Sequence, residues 1–326
     1  MYKTLYEHRS LHDPSAQMRA HHAAAHLLPW LPCPGHDAVT ATALALAHNL
    51  ASDSQLRADL IAHGLVPKLV ALLGGEGTLS SASSSSSSKP PLSPFRTRAL
   101  RLLYHLSADA AGRAALSAPD VGVVPLVKEM VLGWPRALLP DDLAALAVNL
   151  SRDARAAEAL CHKAGLRRLV DRALRHRDPL LMKVVRSIGE WSLGVQAALQ
   201  DPDAEYDLRS LWPSHAKPLV ALALELGGGG ASSTALLVEV LGALGNLTPL
   251  DLPIDTAWRE LLGPQQARAL VDLCVRLLLT TTMTGEEEDA GVEADVVLEA
   301  VCVVQALALD GTMAAVMEEA GVVRCV

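Results

Sequence analysis

The 326-residue chain carries a net charge of −8, is half hydrophobic and contains only 3% aromatic residues, with a single Phe at 95. An acidic balance argues against a general nucleic-acid binder, and no window stays apolar for the roughly 18 residues a membrane span needs, so no membrane insertion is expected. Five scattered cysteines, an odd number, read as reduced thiols of a cytosolic protein and not as a disulfide framework.

Residues 1–19 are polar and charged, read as frayed, and do not form a signal peptide. A helix is expected over 20–34, ending near the prolines 29, 32 and 34. Residues 38–50 follow as a third helix of a repeat. Residues 55–62 and 65–73 are the first and second helices of the next one. Residues 74–94 are low-complexity, with six consecutive serines at 83–88, and read as a disordered insertion. The helical pattern resumes over 96–107. From Leu166, the apolar residues Leu169, Val170, Ala173 and Leu174 fall at i+3, i+4, i+7 and i+8, one face of a helix, with Arg167, Arg168, Asp171, Arg172 and Arg175 on the other. Asp178-Pro179 breaks that helix and starts another, since Pro is tolerated in a first turn and not inside. Residues 227–233 and 280–291 read as two more insertions, and the last residues, GVVRCV, open a helix whose Val322, Val323 and Val326 are expected on an apolar face without a partner. The chain therefore reads as a fragment of a longer array.

Two phrases recur. GLVPKLV (64–70) echoes as GVVPLV (122–127), GLRRLV (165–170) and GVVR (321–324). LAHNLASD (46–53) echoes as LLYHLSAD (102–109), LAVNLSRD (146–153), LGNLT (244–248) and QALALD (305–310). His105 and Asn149 are 44 positions apart and Asn149 and Ser187 are 38. A period of roughly 40 with three helices per unit predicts an all-α, armadillo/HEAT-like right-handed α-solenoid. It is expected as a single array with units near 20–52 (partial), 53–108, 109–151, 152–192, 193–248, 249–309 and 310–326 (partial).

Catalytic chemistry finds no constellation, and neither an enzyme nor a cofactor is expected. His176-Arg177-Asp178 spells a kinase tripeptide, but Lys183 stands where the kinase pattern needs Asn, and no Asp-Phe-Gly follows. His21, His22, His26 and Cys33 lack the Glu of a zinc helix, because Ala occupies its place. The glycines 227–230 lack the Lys-Ser/Thr ending of a phosphate loop. The acidic run 286–289 lacks alternating Ca²⁺ ligands.

Residues 57–73 (RADLIAHGLVPKLVALL), 100–109 (LRLLYHLSAD), 172–188 (RALRHRDPLLMKVVRSI), 238–252 (VEVLGALGNLTPLDL) and 297–310 together resemble the kinesin-associated protein family, the non-motor accessory subunit of heterotrimeric kinesin-II. The 172–188 block is the specific one, since generic armadillo repeats do not share its Asp-Pro-Leu-Leu-Met-Lys. The likeness runs from about residue 27 to the end and maps to the family's middle and later repeats; the serine, glycine and acidic insertions depart from it. The resemblance implies a non-catalytic adaptor that binds kinesin-II motor tails and cargo adaptors, in cytoplasmic, cytoskeleton-associated transport along cilia and flagella. An importin-alpha-like or catenin-like scaffold is the alternative, but the groove tryptophans of the importin pattern are replaced by Ala45, Arg101, Ala145, Lys183 and Gly242.

Two features are candidate partner-binding determinants. The third helices end on a ladder of Asn49, His105, Asn149, Ser187, Asn246 and Ala306. In armadillo proteins an Asn there can bond an extended ligand's backbone; the other reading is that it caps its own helix. The second is charge: residues 163–186 hold eight Lys/Arg and two Asp, net +6, so the rest of the chain is −14. That island is either a solvated face or an acidic partner's site. Within it, Lys183 and Arg186, with Arg101, are expected on the groove side, and Arg167, Arg168, Arg172 and Arg175 on an outward ridge. The groove is the favoured side.

Overall fold

The computed structural model describes residues 18, 22–32, 37–74, 93–162, 164–191, 208–228, 234–247, 257–280 and 290–322. The expected insertions fall almost wholly outside these residues, as do Lys163, Val323 and Val326. Every regular element among the described residues is helical. The chain divides into two compact units, residues 1–156 and 157–326.

The first unit holds α1 (Ala23–Leu27), a 3₁₀ turn (Leu28–Trp30), α2 (Asp37–Leu50), α3 (Ser54–Ala62), α4 (Leu65–Gly74), α5 (Pro94–Leu106), α6 (Ala110–Leu116), α7 (Val123–Gly133) and α8 (Asp141–Ser151). The helix expected over 20–34 is thus only a short α-turn and a 3₁₀ turn, with Pro29 in the first positions of the latter. The rest repeats in threes. The third helices α2, α5 and α8 pack successively on one another, α4 packs on α7, and α3 on α6. The boundary between units falls within α9 (Ala154–Cys161).

The second unit continues with α10 (Gly165–His176), α11 (Pro179–Gly189), α12 (Leu208–Leu226), α13 (Thr234–Gly245), α14 (Trp258–Leu262), α15 (Pro264–Thr280), α16 (Ala290–Ala308) and α17 (Gly311–Glu319). Its third helices α11, α13 and α16 stack in order, and its second helices α10, α12 and α15 do the same. Both units are therefore all-α solenoid stacks. Their cores are small aliphatic side chains: Leu60, Leu65, Leu103 and Leu146 in the first, Val185, Val240, Leu270 and Ala300 in the second, all at most 1% exposed. Burying one such leucine or valine stabilises by roughly 1.5–3 kcal/mol, so many modest contacts replace a few aromatic ones. Val322, expected on an unpartnered face, is instead buried at 3% exposure.

The recurring phrases have local causes. The Asp that ends the LAHNLASD phrase is the N-cap of the following helix. Asp53 accepts from the backbone N–H of Gln55 and Leu56, Asp109 from Gly112, Asp153 from Arg155 and Ala156, and Asp310 from Thr312. Each satisfies N–H groups that a helix start leaves without partners. The glycine that opens the GLVPKLV phrase turns the corner into the second helix, with φ of 87° at Gly64, 75° at Gly122 and 77° at Gly321. At the third copy the corner shifts by one residue. Ala164 takes φ 56°, and Gly165 is already inside α10.

Candidate partner-binding site

In the first unit the third-helix row carries His48 and Asn49 on α2, Arg101, Tyr104 and His105 on α5, and Asp142 and Asn149 on α8. The rings of His48 and His105 meet edge to face, centroids 4.3 Å apart. Burial and the neighbouring His48 together hold the His105 imidazole below its ordinary protonation range. Arg101 is exposed, but its Nε lies 3.2 Å from the Asp142 carboxylate. Asn149 turns back along the stack and donates its amide to Ser107 Oγ at 2.9 Å.

In the second unit Asn246 does the same kind of work. Its amide donates to the backbone carbonyl of Arg186, one third helix earlier, at 3.0 Å. Ser187 and Ala306 are buried between helices. The ladder residues Asn149 and Asn246 are therefore stitches between successive third helices, a use that neither the groove reading nor the capping reading anticipates. Asn49 is exposed on α2.

Arg186 leaves α11, crosses α13 and reaches α16. Its guanidinium lies 3.5 Å from Glu239 and 2.5 Å from Glu299, carboxylates only 11% and 7% exposed. Gly242 lets it pass, because a Cβ there would sit 2.5 Å from Arg186 Nε. Lys183 adds a second cation, 3.4 Å from Glu239. Burial pushes the Glu299 carboxyl above its ordinary range, against the pull of Arg186. Arg177 is held by Glu225 through two 2.8 Å hydrogen bonds. Of the eight cations counted along residues 163–186, Arg177, Lys183 and Arg186 are therefore answered in space by acids from later helices. A linear charge count could not reveal this, because those partners lie 48 to 113 positions away.

The arginines of α10 lie elsewhere. Arg167, Arg168 and Arg175 are exposed, and Arg172 is half-buried. Leu166, Leu169, Val170 and Ala173 point inward and are buried, as the 3.6-residue periodicity demands. Asp171, on the same polar face, approaches His215 Nε2 at 2.9 Å.

The other chemical candidates resolve into structure. His176-Arg177-Asp178 is a helix corner: Arg177 takes φ 51° after α10, and buried Asp178 caps α11 through Leu180 and Leu181 N–H. His22 caps α1 with φ 51° and His26 is exposed, while His21 and Cys33 lie outside the described residues. Among the described residues no group of three His, Cys, Asp or Glu is placed to hold a metal ion. Cys274 and Cys302 are free thiols, and Cys161 is buried. Burial pushes the Cys274 thiol up to about 12, so it is no nucleophile at neutral pH. No helix among the described residues is long and apolar enough to cross a membrane.

A solved structure shares this fold at low sequence identity. A solved engineered protein matches with a TM-score of 0.52 at 15% identity, covering 87% of this chain and 96% of its own. A structure from work on a phosphorylation switch in the interaction between cadherin and beta-catenin matches with a TM-score of 0.44 at 16% identity, covering 96% of this chain and 62% of that one. The first likeness speaks to the fold alone. The family model for kinesin-associated protein (KAP) matches residues 9–326, nearly the whole length, and on that ground the chain belongs to the kinesin-associated protein family.

Proposed function

We propose that the chain is a non-catalytic accessory subunit that binds the tails of a kinesin-II motor heterodimer and links that motor to cargo adaptors in microtubule-based transport along cilia and flagella. The observation that carries this reading is the family match over residues 9–326. The architecture supports it, since stacked helices offer long surfaces to another chain and their polar residues serve packing. The location that follows is cytoplasmic and cytoskeleton-associated, and the subunit needs no cofactor.

The test is a titration of the purified heterodimeric kinesin-II tail against the full chain by calorimetry, with a homodimeric kinesin tail as the control. A saturable complex with the heterodimer, and none with the control, is the expected result. No complex with either tail would leave only the general class of armadillo scaffold.

A further inference from the structure

We infer that the solvent-facing ridge of α10, formed by Arg167, Arg168 and Arg175, is a docking surface for an acidic segment of a partner protein. The inference rests on the accessory-subunit reading and names the surface that serves it.

The cations of the third-helix row are already engaged. Arg101 faces Asp142, Lys183 faces Glu239, and Arg186 lies between Glu239 and Glu299. A partner's carboxylate arriving there would compete with fixed internal ones. The ridge differs. Among the described residues, none of Arg167, Arg168 and Arg175 forms an ion pair within the 4.0 Å limit that the other pairs meet. Asp171 stands four residues from both Arg167 and Arg175, the spacing at which helical ion pairs form. Its carboxylate is instead directed at His215 of α12. The single acid of α10 is thus directed at α12. The repulsion left behind is felt locally: burial lowers the proton affinity of Arg172, and Arg175 lowers it further against the pull of Asp178.

Like charges crowded on one helix cost stability in isolation, by roughly 0.2–0.5 kcal/mol per neighbouring pair. The apolar face of α10 absorbs that cost by packing on α11 and α12, so the ridge is held on a fixed support. Arg168 and Arg175 are two turns apart, about 10 Å along the axis. Each guanidinium presents a planar fork that can take a carboxylate through two parallel hydrogen bonds. The complementary ligand is a segment with carboxylates spaced about 10 Å apart. Three arginines without an ion-pair partner among the described residues, on a chain of net charge −8, also raise the encounter rate with such a segment, and that gain is screened by salt.

The experiment uses the full chain as wild type, R168E/R175E, R168K/R175K and R101Q/K183Q, each checked by circular dichroism. Three probes are titrated at low and physiological salt: a synthetic glutamate-rich peptide, the purified kinesin-II tail and phosphatidylserine vesicles. R168E/R175E is expected to weaken the peptide and tail interactions by about tenfold or more and to remove their salt dependence, while R101Q/K183Q stays within about twofold of wild type. R168K/R175K should lie between, since it keeps the charge and loses the fork. If R168E/R175E fails to fold, R168Q/R175Q replaces it with the same expected direction. Tail binding that R168E/R175E leaves unchanged overturns the ridge and leaves the accessory reading standing. Peptide binding that depends on Arg168 and Arg175, with no tail binding to wild type, keeps the ridge and removes the kinesin-II reading. Binding only to phosphatidylserine vesicles, and not to the peptide, overturns the inference in favour of a lipid surface.

Discussion

Arg186 on α11 and Glu299 on α16 are 113 positions apart in sequence and 2.5 Å apart in space, and the arginine reaches its partner by crossing over Gly242 of the intervening helix. With Glu239 they form an ionic group that joins all three stacked third helices of the second unit. Such a pair adds little over a well-packed apolar core, but removing one partner leaves the other buried and unanswered. Arg186→Ala is therefore expected to lower stability by about 3 kcal/mol, because two poorly exposed carboxylates would then face each other. Arg186→Ala with Glu299→Gln should recover much of that loss. Urea denaturation of the two variants decides the matter; equal losses would mean that Arg186 contributes packing and not charge.

Glu299 also gives the second unit a pH signature. Burial raises its proton affinity in the folded state above that in the unfolded chain. The folded state then binds more protons through the window between the two values, so its stability falls as pH rises from below the ordinary Glu range through the raised folded value. Wild type minus Glu299→Gln isolates this group. That difference should decline as pH rises through this window and level off above it. A flat difference would show that Arg186 fully compensates the burial.

His105 in the first unit works in the opposite direction. Its folded protonation is suppressed first by burial and then by His48. The unfolded chain therefore binds the proton more readily, and stability is lost as pH falls from the ordinary histidine value of 6.5 through the lowered folded one. An NMR titration of the His105 ring should show a midpoint below 6.5. His48→Gln should move that midpoint part of the way back, the remainder being the burial that the substitution leaves in place. A midpoint unmoved by His48→Gln would assign the whole effect to burial.

The helices were legible in the sequence because their signals are local. The apolar stripe of residues 166–174 and the break at Asp178-Pro179 each involve residues within a turn or two of one another. The caps were equally local: Asp53, Asp109, Asp153 and Asp310 end each phrase, and their preference for helix starts could have identified them. What no local rule supplies is the pairing of side chains across repeats. Asn149 finds Ser107, Asn246 finds the Arg186 carbonyl, and Arg186 finds Glu239 and Glu299 only once the stack exists. Arg101, Lys183 and Arg186, expected on the groove side, meet acids of neighbouring third helices, while Arg167, Arg168 and Arg175 are exposed.

The slip of one residue at the Ala164 corner yields a substitution with a counterintuitive sign. Gly64 and Gly122 enter their second helices at φ near 80°, where glycine has no Cβ to clash. Ala164 holds the same kind of corner at φ 56°, with a Cβ close to the following carbonyl. That conformation costs a non-glycine residue roughly 1–2 kcal/mol. Replacing Ala by Gly usually destabilises, since the unfolded chain gains freedom worth about 0.4–1 kcal/mol. Here the relief of strain is the larger quantity, and Ala164→Gly should stabilise by about 0.5–1 kcal/mol. Gly122→Ala should do the reverse by about 1 kcal/mol, because it builds into the first unit the strain that Ala164 already carries. Ala164 is exposed and lies outside the apolar face of α10, so neither packing nor the arginine ridge changes with it. Thermal melts of both variants beside wild type provide the measurement. A lower melting temperature for Ala164→Gly would mean that the left-handed corner at 164 costs less than the chain freedom that alanine removes.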